Sequence, residues 1–356
     1  MELNGISETT FNMQNLNLSY QHGGHIYRFA QEAGCHWDEI IDFSSNINPH
    51  QAVQLNTIAP GLIAPYAEPD YHQLKQQLKR RYPAFQHTSI EPFNGASAAI
   101  FALFRFLQPT QCTFYAPLYA EYKRIAALLN CQQQLINRLE TLTTPVKPYS
   151  TIVFVNPTTP DGTCYDLTPL LETWITANCT IIIDESFLDF TNAMSIATKI
   201  IDYEKLFVIK SLTKFYGCAG VRIGLIAGSE KMITALRQQE PAWKLSSWDM
   251  NYIGQALNNN QFITDTLTQT QQNRHDLKEI LLASKLFSQI FESDANFILA
   301  KLANLDGYQL QQKLKPYRIL IRICDNFDFL DASYVRLAVK KAEDILRLKT
   351  ALESIQ

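Results

Sequence analysis

The segment from Ser211 to Gly224 contains groups that could bind an anion or act as a nucleophile. It reads SLTKFYGCAGVRIG, with Lys214 directly after Thr213 and Arg222 eight residues later. A lysine amine with a lowered pKa is a nucleophile that forms Schiff bases with carbonyl compounds. Arginine and hydroxyl side chains bind phosphate oxygens. An anion site, a nucleophilic amine and an ordinary turn between strands would each account for this segment.

Polar residues also flank three other apolar segments. Asp184 ends the run IIID, where a carboxylate is costly unless it meets a basic group or caps a helix. Asn156 ends STIVFVN and would either donate to an oxygen of a bound ring or form an Asx-turn. The run NGAS at residues 94–97 begins a helix, whose free N–H groups attract phosphate. An amine, an acid, an amide and a phosphate cradle together fit pyridoxal 5'-phosphate better than any other cofactor.

The strand pattern places these residues at one edge of a sheet. From about residue 90 to 230, apolar runs rich in β-branched residues alternate with stretches of helical spacing, which is typical of βα units and a mainly parallel sheet. The carboxyl ends of such strands present ligands at the same edge, so Asn156, Asp184 and Lys214 should converge. Strands are predicted at residues 112–117, 150–157, 179–186, 205–211 and 222–228, and helices at 97–108, 118–130 and 167–177.

The chain changes in character after about residue 240. A long polar helix from Asp265 to Ala283 precedes short apolar segments and a terminal helix that begins near Lys341, which indicates a smaller α+β domain. Short strands are predicted at residues 295–302, 318–324 and 334–340. We therefore predict an N-terminal arm over residues 1–50 that packs on the small domain and the active site, a large cofactor-binding domain over 51–240 and a small C-terminal domain over 241–356.

The overall composition narrows the class of protein. The 356 residues exceed the ~250 at which a single core usually stops growing, so two domains are expected. With 46% hydrophobic and 18% charged residues and a net charge of -3, neither a nucleic acid nor an anionic membrane is expected as a partner. The first residues lack the pattern of a secretion signal, and no apolar run reaches the ~20 residues of a membrane span. We therefore expect a cytoplasmic protein.

The cysteines and histidines predict neither disulfides nor a metal site. The seven cysteines are odd in number, widely spaced and without a CxxC pair, which favours reduced and mostly buried thiols. His22, His25, Cys35 and His36 lie close together in the sequence, but their spacing matches no standard zinc pattern. We expect no metal, and we interpret the segment HGG that begins at His22 as a flexible arm whose side chains could serve a pocket.

The motifs resemble those of the fold-type I aminotransferases in order and in spacing. SLTKFYGCAGVRIG looks like the family's lysine motif, NPTTPDG like its NPxNPTG loop and IIIDESF like its aspartate strand. The resemblance extends over nearly the whole chain. It implies a pyridoxal 5'-phosphate enzyme with a large domain built on a mainly parallel seven-stranded sheet, a smaller α+β domain, and a homodimer whose active sites are shared between subunits.

The N-terminal segment carries the more specific resemblance. HGGHIYRFAQEAG followed by IIDFSSNINP resembles the threonine-phosphate decarboxylases of cobalamin synthesis, and the same branch of the family contains histidinol-phosphate aminotransferases. The first resemblance implies decarboxylation of L-threonine O-3-phosphate to (R)-1-amino-2-propanol O-2-phosphate. The alternative is transamination of histidinol phosphate or a related amino acid. A pyridoxal-binding regulatory domain is disfavoured, because the chain has neither a basic patch nor spare length for a DNA-binding module.

The resemblance implies a role for each motif residue. Lys214 would form the Schiff base with the cofactor, Asp184 would bind the pyridine nitrogen and Asn156 would bind the ring hydroxyl. Tyr119 would stack on the ring, and Tyr66 would reach the phosphate bound by the neighbouring subunit. The phosphate would otherwise be bound by Gly95, Ala96, Ser97, Ser211, Thr213 and Arg222.

Two sets of residues are candidates for the anionic groups of the substrate. Arg336 would hold the carboxylate, although an arginine that projects from a strand into solvent would fit the same sequence. A phosphorylated substrate needs a second anion site, and a glycine-rich arm could close over it and exclude water. The candidates for that second site are His22, Gly23, Gly24, Tyr27, Asn46, Asn48 and Arg322.

The chain departs from the family pattern at several positions. Phe187 stands where most aminotransferases carry a tyrosine that bonds the ring hydroxyl, and the loss of that donor should raise the pKa of the Schiff base. A phenylalanine there also resembles the decarboxylase branch. Lys340 replaces a second arginine of the terminal VRxAVR pattern, which leaves a bidentate contact there in doubt. Thr158, Thr159 and Asp161 replace residues of the loop motif, but the asparagine before them remains, so the ring contact should survive.

Overall fold

The computed structural model of this chain describes residues 22–55 and 60–355. Within them the strands are β1 Ile41–Asp42, β2 Ser89–Phe93, β3 Gln111–Ala116, β4 Gln132–Asn137, β5 Thr151–Val155, β6 Thr180–Asp184, β7 Leu206–Ser211, β8 Gly224–Gly228, β9 Phe287–Ile290, β10 Phe297–Leu302, β11 Ile319–Leu320, β12 Arg322–Ile323 and β13 Tyr334–Ala338. The α-helices are α1 Ile26–Ala33, α2 His72–Arg81, α3 Gly95–Leu107, α4 Ala120–Leu128, α5 Thr168–Thr176, α6 Glu230–Arg237, α7 Ser247–Leu257, α8 Asn260–Ala283, α9 Gly307–Leu314 and α10 Ala342–Ser354. Among these described residues, no helix combines the length and the apolar composition needed to cross a bilayer.

The larger sheet contains seven strands in the order β2-β8-β7-β6-β5-β3-β4. Strand β8 runs antiparallel to both of its neighbours, and every other pair is parallel. The central strands β5, β6 and β7 are buried almost throughout, as expected for parallel strands that are covered on both faces of the sheet. The predicted mainly parallel seven-stranded sheet is therefore confirmed.

Two strands of this sheet, β2 and β4, give no signal in the apolar pattern of the sequence. Strand β4 reads QQQLIN and lies mostly exposed at one edge. Strand β2 reads SIEPF and forms the other edge, where a proline is tolerated because one side of the strand needs no ladder hydrogen bonds. Neither has the continuous apolar run that identifies a strand buried in the middle of a sheet.

The predicted helices are present as α3, α4, α5, α8 and α10. Helix α8 begins at Asn260, five residues earlier than expected. The cause is a cap, because the side chain of Asn259 accepts a hydrogen bond from the backbone N–H of Phe262 at 3.0 Å. Helices α3 and α4 share one apolar core with a face of the large sheet, and their first turns lie next to its strand ends.

The smaller sheet is antiparallel, with the order β12-β13-β10-β9. Helices α8 and α10 pack in its core together with β10 and β13. This separate sheet, together with the large sheet and its helices, confirms the predicted combination of a large α/β part and a smaller α+β part. The boundaries at residues 50 and 240 stay predictions.

The strand predicted at residues 318–324 is divided in two. Strand β11 pairs in parallel with β1 of the N-terminal segment, and β12 pairs with β13 of the small sheet. The side chain of Gln311 separates them, because it accepts a hydrogen bond from Ile321 N at 2.9 Å and donates one to Ile319 O at 2.9 Å. The division brings the N-terminal segment next to Arg322.

Candidate active site

A cavity of about 300 Å³ lies at the carboxyl ends of β6 and β7, between the start of α3 and the small sheet. Its walls come from distant parts of the chain, which the fold brings together. The predicted site residues that line it are His22, Gly23, Asn46, Ala96, Ser97, Tyr119, Asp184, Ser211, Thr213, Lys214, Arg222, Arg322 and Arg336.

The amine of Lys214 has a lowered pKa. Burial lowers the pKa of Lys214 to about 8; the Asp184 carboxylate opposes the shift, while Arg336 and Arg222 add to it. The Nζ atom lies 4.0 Å from the centre of the Phe187 ring, so one side of the amine is apolar. At neutral pH, a much larger fraction of such an amine is neutral and nucleophilic than of an ordinary lysine.

The carboxylate of Asp184 is fixed by two donors at the end of β6. The hydroxyl of Tyr122 donates to Oδ2 at 2.8 Å, and the backbone N–H of Ser186 donates to Oδ1 at 2.9 Å. With its orientation set in this way, the buried carboxylate is suited to accept a hydrogen bond from a cationic N–H group. The sequence gives no signal for Tyr122, because a buried tyrosine within α4 has the pattern of a core residue.

The start of α3 and the loop after β7 form a cradle of hydrogen-bond donors. No side chain caps α3, so its first N–H groups remain for a ligand. The hydroxyls of Ser211 and Thr213 lie 3.0 Å apart. Gly95 has a φ of +81°, and a Cβ built there would lie 2.5 Å from Nη2 of Arg222. Glycine is therefore what allows the guanidinium to approach the helix start, and the donor set is the one that a phosphate requires.

Tyr119 forms a flat wall of the cavity immediately before α4. Its hydroxyl lies 3.2 Å from Oγ of Ser97, and its ring centre lies 5.2 Å from that of His22. Burial raises the pKa of the Tyr119 hydroxyl, which therefore stays protonated at neutral pH. A ring held in place by a hydroxyl contact is suited to stack against a planar ligand.

The predicted site residues that do not line this cavity include Gly24, Tyr66, Gly95 and Asn156. Gly95 instead allows the guanidinium of Arg222 to approach the start of α3, as described above. The amide of Asn156 bonds the backbone of Tyr165, with Nδ2 donating to its carbonyl at 3.0 Å and Oδ1 accepting from its N–H at 2.9 Å. One of the two Nδ2 hydrogens is used in this way. Tyr66 is 80% exposed and stacks on Trp243, with 4.8 Å between ring centres.

Arg336 and Arg322 form a pair of buried cations. They are direct partners across β13 and β12, and they are 7% and 9% exposed. Burial lowers the pKa of Arg336 to about 10, and Arg322 adds to the shift. Like charges that face each other on adjacent strands are destabilising, and an anionic group between or beside them would relieve this repulsion.

Arg336 also has a donor that the protein leaves unused. Its Nη1 donates to Oγ1 of Thr159 at 3.1 Å and its Nη2 donates to the Ser44 carbonyl at 2.9 Å, whereas its Nε is buried without a partner. The guanidinium of Arg322 donates to Ile323 O and to Oδ1 of Asn326. A buried N–H without a partner is costly, and an anionic ligand oxygen would satisfy it.

The N-terminal segment closes one side of the cavity. A Cβ on Gly23 would lie 2.1 Å from the Ser44 carbonyl oxygen, and Gly24 has a φ of +89°. The N–H of Gly24 donates to Oγ of Ser44 at 2.8 Å. Asn46 is buried, and its Oδ1 has no partner. Glycines therefore let the segment pass close over Ser44, and Gly24 borders a neighbouring cavity of about 690 Å³.

Two other candidates from this segment lie elsewhere. The side chain of Asn48 donates to Phe215 O at 2.8 Å and to Oγ1 of Thr266 at 3.0 Å, so it holds internal structure. Tyr27 is 63% exposed and packs on Trp37. Neither side chain lines the 300 Å³ cavity.

The departures from the family motifs have structural partners. Asp161 forms a buried ion pair with Arg138 at 2.5 Å and accepts from Oγ1 of Thr158 at 2.9 Å. The Arg138 guanidinium and these hydrogen bonds outweigh burial and lower the pKa of Asp161. Lys340 donates from Nζ to Ser45 O at 2.9 Å, so this lysine holds the N-terminal segment, and it does not line the 300 Å³ cavity.

The cavity fits pyridoxal 5'-phosphate. A lysine with a lowered pKa could take the aldehyde, an oriented carboxylate could bind the ring nitrogen, and the uncapped start of α3 with Arg222 could hold the phosphate. Among residues 22–55 and 60–355, no three or more His, Cys, Asp or Glu side chains are grouped so that they could hold a metal ion.

Comparisons with known proteins point to the same cofactor chemistry. The family model for aminotransferases of class I and II matches residues 38–352. A threonine-phosphate decarboxylase of Salmonella typhimurium is 30% identical over 364 residues, which cover 94% of this chain and 96% of that protein. The adenosylcobalamin biosynthesis bifunctional protein CobDQ of Leptospira interrogans is 29% identical over 94% of this chain, and the match spans 41% of that longer protein.

Solved structures share the fold over most of the chain. Histidinol-phosphate aminotransferase from Clostridium acetobutylicum superposes with a TM-score of 0.79 and 26% identity, covering 88% of this chain and 98% of that chain. Histidinol-phosphate aminotransferase from Sinorhizobium meliloti, solved in complex with pyridoxal 5'-phosphate, superposes with a TM-score of 0.78 and 17% identity over 99% of this chain and 100% of that chain. At that lower identity the likeness shows the fold alone.

Proposed function

This chain belongs to the aminotransferase class I and II family, and we propose that it decarboxylates L-threonine O-3-phosphate to (R)-1-amino-2-propanol O-2-phosphate. Its fold is fold type I, and its cofactor is pyridoxal 5'-phosphate. The observation that carries the proposal is the pair of buried arginines, Arg322 and Arg336, in one cavity with Lys214. A substrate with two anionic groups accounts for two cations that would otherwise repel each other.

The residues of the cavity divide between the parts of the cofactor. Lys214 is proposed to attach to its aldehyde carbon, Asp184 to bind its ring nitrogen and Tyr119 to stack on its ring. The remaining Nδ2 hydrogen of Asn156 is proposed to bind the ring hydroxyl. When bound, the cofactor withdraws electrons from Cα of the substrate. The phosphate is assigned to the backbone of Gly95 and Ala96 and to the side chains of Ser97, Ser211, Thr213 and Arg222.

The substrate is proposed to be held at both ends. The Nε of Arg336, which has no partner within the protein, is proposed to bind the carboxylate. The site proposed for the phosphoryl group consists of Arg322, His22, Gly23 and Asn46. Two anchors fix the rotation of the substrate about Cα. A bound cofactor would weaken the bond at Cα that is perpendicular to its ring, so Arg336 would favour loss of CO2 by holding the carboxylate in that orientation. The amine of Lys214, which lines the same cavity, is proposed to deliver a proton to Cα.

Two further observations favour decarboxylation. Phe187 lies against Lys214, at the position where the sequence resembles the decarboxylase branch. The relatives at 29% and 30% identity are named for adenosylcobalamin biosynthesis and for threonine-phosphate decarboxylase. We therefore propose a role in cobalamin biosynthesis, with the enzyme located in the cytoplasm.

The alternative function is transamination of histidinol phosphate or a related amino acid. It is supported by the histidinol-phosphate aminotransferase from Clostridium acetobutylicum, which superposes with a TM-score of 0.79 at 26% identity. Histidinol phosphate also carries a phosphoryl group, which Arg322 would accommodate. Histidinol phosphate has no carboxylate, but the 2-oxoglutarate that accepts its amino group has two, so the unused Nε of Arg336 has a partner in either function.

A CO2 assay separates the two functions. Purified enzyme with pyridoxal 5'-phosphate and L-threonine O-3-phosphate, in the absence of any keto acid, should release CO2, and the Lys214→Ala variant should release none. Absence of CO2 together with conversion of histidinol phosphate in the presence of 2-oxoglutarate would refute the proposed reaction in favour of the alternative.

We also propose that the enzyme is a homodimer with shared active sites. Tyr66 lies outside the cavity of its own subunit and is 80% exposed, although its ring is held by Trp243. Exposed large aromatic residues are enriched in contact surfaces. Tyr66 is therefore proposed to reach the cofactor phosphate in the second subunit.

A further inference from the structure

Glu121 is a buried carboxylate beside the cavity that has no role in the function proposed above. It lies in the first turn of α4 and is 7% exposed. Its Oε1 lies 2.9 Å from Nε2 of His22, and its Oε2 accepts from Nη1 of Arg124 at 3.0 Å. A negative charge is favourable at this end of the helix. Glu121 thereby connects the helix that follows Tyr119 to the N-terminal segment.

The contact with Glu121 decides which nitrogen of His22 faces a ligand. An ionised carboxylate only accepts hydrogen bonds, so Nε2 must carry the hydrogen in this contact. Nδ1 is then the ring nitrogen that remains for a ligand. The ring is also held by Tyr119, at 5.2 Å between centres, and His22 lines the cavity that contains Arg322.

A phosphoryl group accepts hydrogen bonds from the side chains that bind it. The carboxylate of Glu121 holds Nε2 on the opposite side of the ring, so the contact fixes the orientation in which Nδ1 is presented to such a group. Because the His22 and Glu121 side chains are 31% and 10% exposed, this pair is less screened than a surface ion pair.

We propose that Glu121 is a positioning residue for the phosphoryl end of the substrate, acting through His22. This inference rests on the proposed function only in requiring a phosphorylated substrate. Glu121 touches neither the reacting atoms nor the phosphoryl group itself, so its removal should weaken binding of that group and leave the chemical step nearly intact.

Steady-state kinetics of Glu121→Gln with L-threonine O-3-phosphate tests this role. The variant keeps the size of the side chain and removes its charge. KM should rise about tenfold, as expected when a charge-assisted hydrogen bond is lost, while kcat changes less than about twofold. Glu121→Asp, which keeps the charge, should recover part of the loss. The matched control is Glu32→Gln, an exposed carboxylate that pairs with Arg28 at 2.9 Å and should behave as wild type.

A double-mutant cycle shows whether Glu121 acts through His22. Equilibrium binding of 1-amino-2-propanol O-2-phosphate is measured by calorimetry for wild type, Glu121→Gln, His22→Ala and the double variant, each loaded with cofactor. In the His22→Ala background, Glu121→Gln should add less than about twofold, because the group it positions is gone. The near-ultraviolet circular dichroism of each variant checks that the fold is retained.

The possible results are distinct. Wild-type affinity and KM in Glu121→Gln, or effects of the two substitutions that multiply in full, would overturn the positioning role while leaving the proposed function in place. If wild-type enzyme binds neither this ester nor histidinol phosphate, both the proposed function and the positioning role are wrong.

Discussion

The ionisation of Lys214 is the residue property on which the chemistry depends. Burial lowers its pKa to about 8, with Arg336 and Arg222 adding to the shift and Asp184 opposing it. For a lysine with a lowered pKa, the neutral amine dominates above that pKa and the ammonium dominates below it. Attachment of an aldehyde requires the neutral amine, so it becomes faster as the pH rises and levels off above about 8.

A stopped-flow measurement of cofactor attachment tests this pH dependence. Cofactor-free enzyme is mixed with pyridoxal 5'-phosphate between pH 6 and pH 10, and the absorbance of the lysine-bound cofactor is followed. The rate constant should have its midpoint near pH 8, well below the ~10.4 of an unperturbed lysine. Lys214→Ala should show no borohydride-stable attachment at any pH, whereas Lys231→Ala, a surface control, should match wild type. A midpoint above pH 10 would contradict the lowered pKa.

The sequence identifies site residues that belong to short motifs. It does not identify residues whose role depends on contact with a distant part of the chain. Lys214, Asp184 and Arg222 could be named because strand ends and a glycine turn identify them. Glu121 and Tyr122 could not, because each lies within an ordinary amphipathic helix and acquires its role from a partner far away in the chain. The same holds for the pairing of Arg322 with Arg336, since strand register is not visible in either segment.

At the scale of elements, the start of α3 is the part of the fold on which phosphate binding depends. The helix has no side-chain cap, and Gly95 with its φ of +81° allows Arg222 to approach the free N–H groups. A glycine is needed here for two reasons, its left-handed backbone and the absence of a Cβ. Both reasons predict that phosphate binding is sensitive to substitution of Gly95.

Gly95→Ala should weaken the binding of pyridoxal 5'-phosphate at least about tenfold, because the added methyl group displaces the guanidinium of Arg222. The left-handed backbone should also cost about 1–2 kcal/mol of stability. Cofactor affinity is measured by equilibrium dialysis, and stability by urea unfolding of cofactor-free protein. Gly220→Ala is the control, since a Cβ there meets no atom within 4 Å. Wild-type cofactor affinity in Gly95→Ala would show that α3 does not hold the phosphate.

The elements themselves were predictable where burial imposes a pattern. Strands β5, β6 and β7 have continuous apolar runs because both of their faces are covered. The edge strands β2 and β4 lack such runs and give no signal. The break between β11 and β12 depends on one hydrogen bond that Gln311 donates and one that it accepts. Because Gln311 lies in another element, the sequence of the strand alone cannot show the break.

At the scale of the whole molecule, the proposed dimer makes each site depend on two subunits. Lys214 lies in the cavity of its own subunit, whereas Tyr66 is proposed to serve the other one. A hybrid of one Lys214→Ala subunit and one Tyr66→Ala subunit therefore has one site with both lesions and one site with neither. This consequence follows only if the sites are shared.

Mixing the two variants tests the shared site. Each variant alone should have low activity, and refolding or exchanging them together should restore activity toward that of one intact site per hybrid dimer. Analytical ultracentrifugation should show a dimer for wild type and for each variant. A monomer, or no recovery of activity in a verified hybrid, would contradict the shared active site.

The central claim is that the bond to the carboxylate, and not the bond to hydrogen, breaks at Cα. Running the reaction of L-threonine O-3-phosphate in D2O and analysing the product by mass spectrometry and NMR tests it most directly. The account predicts release of CO2 and 1-amino-2-propanol O-2-phosphate that carries one deuterium at C1, because the original hydrogen stays and one proton is delivered from solvent. Exchange of the α-hydrogen for deuterium without release of CO2 would contradict it.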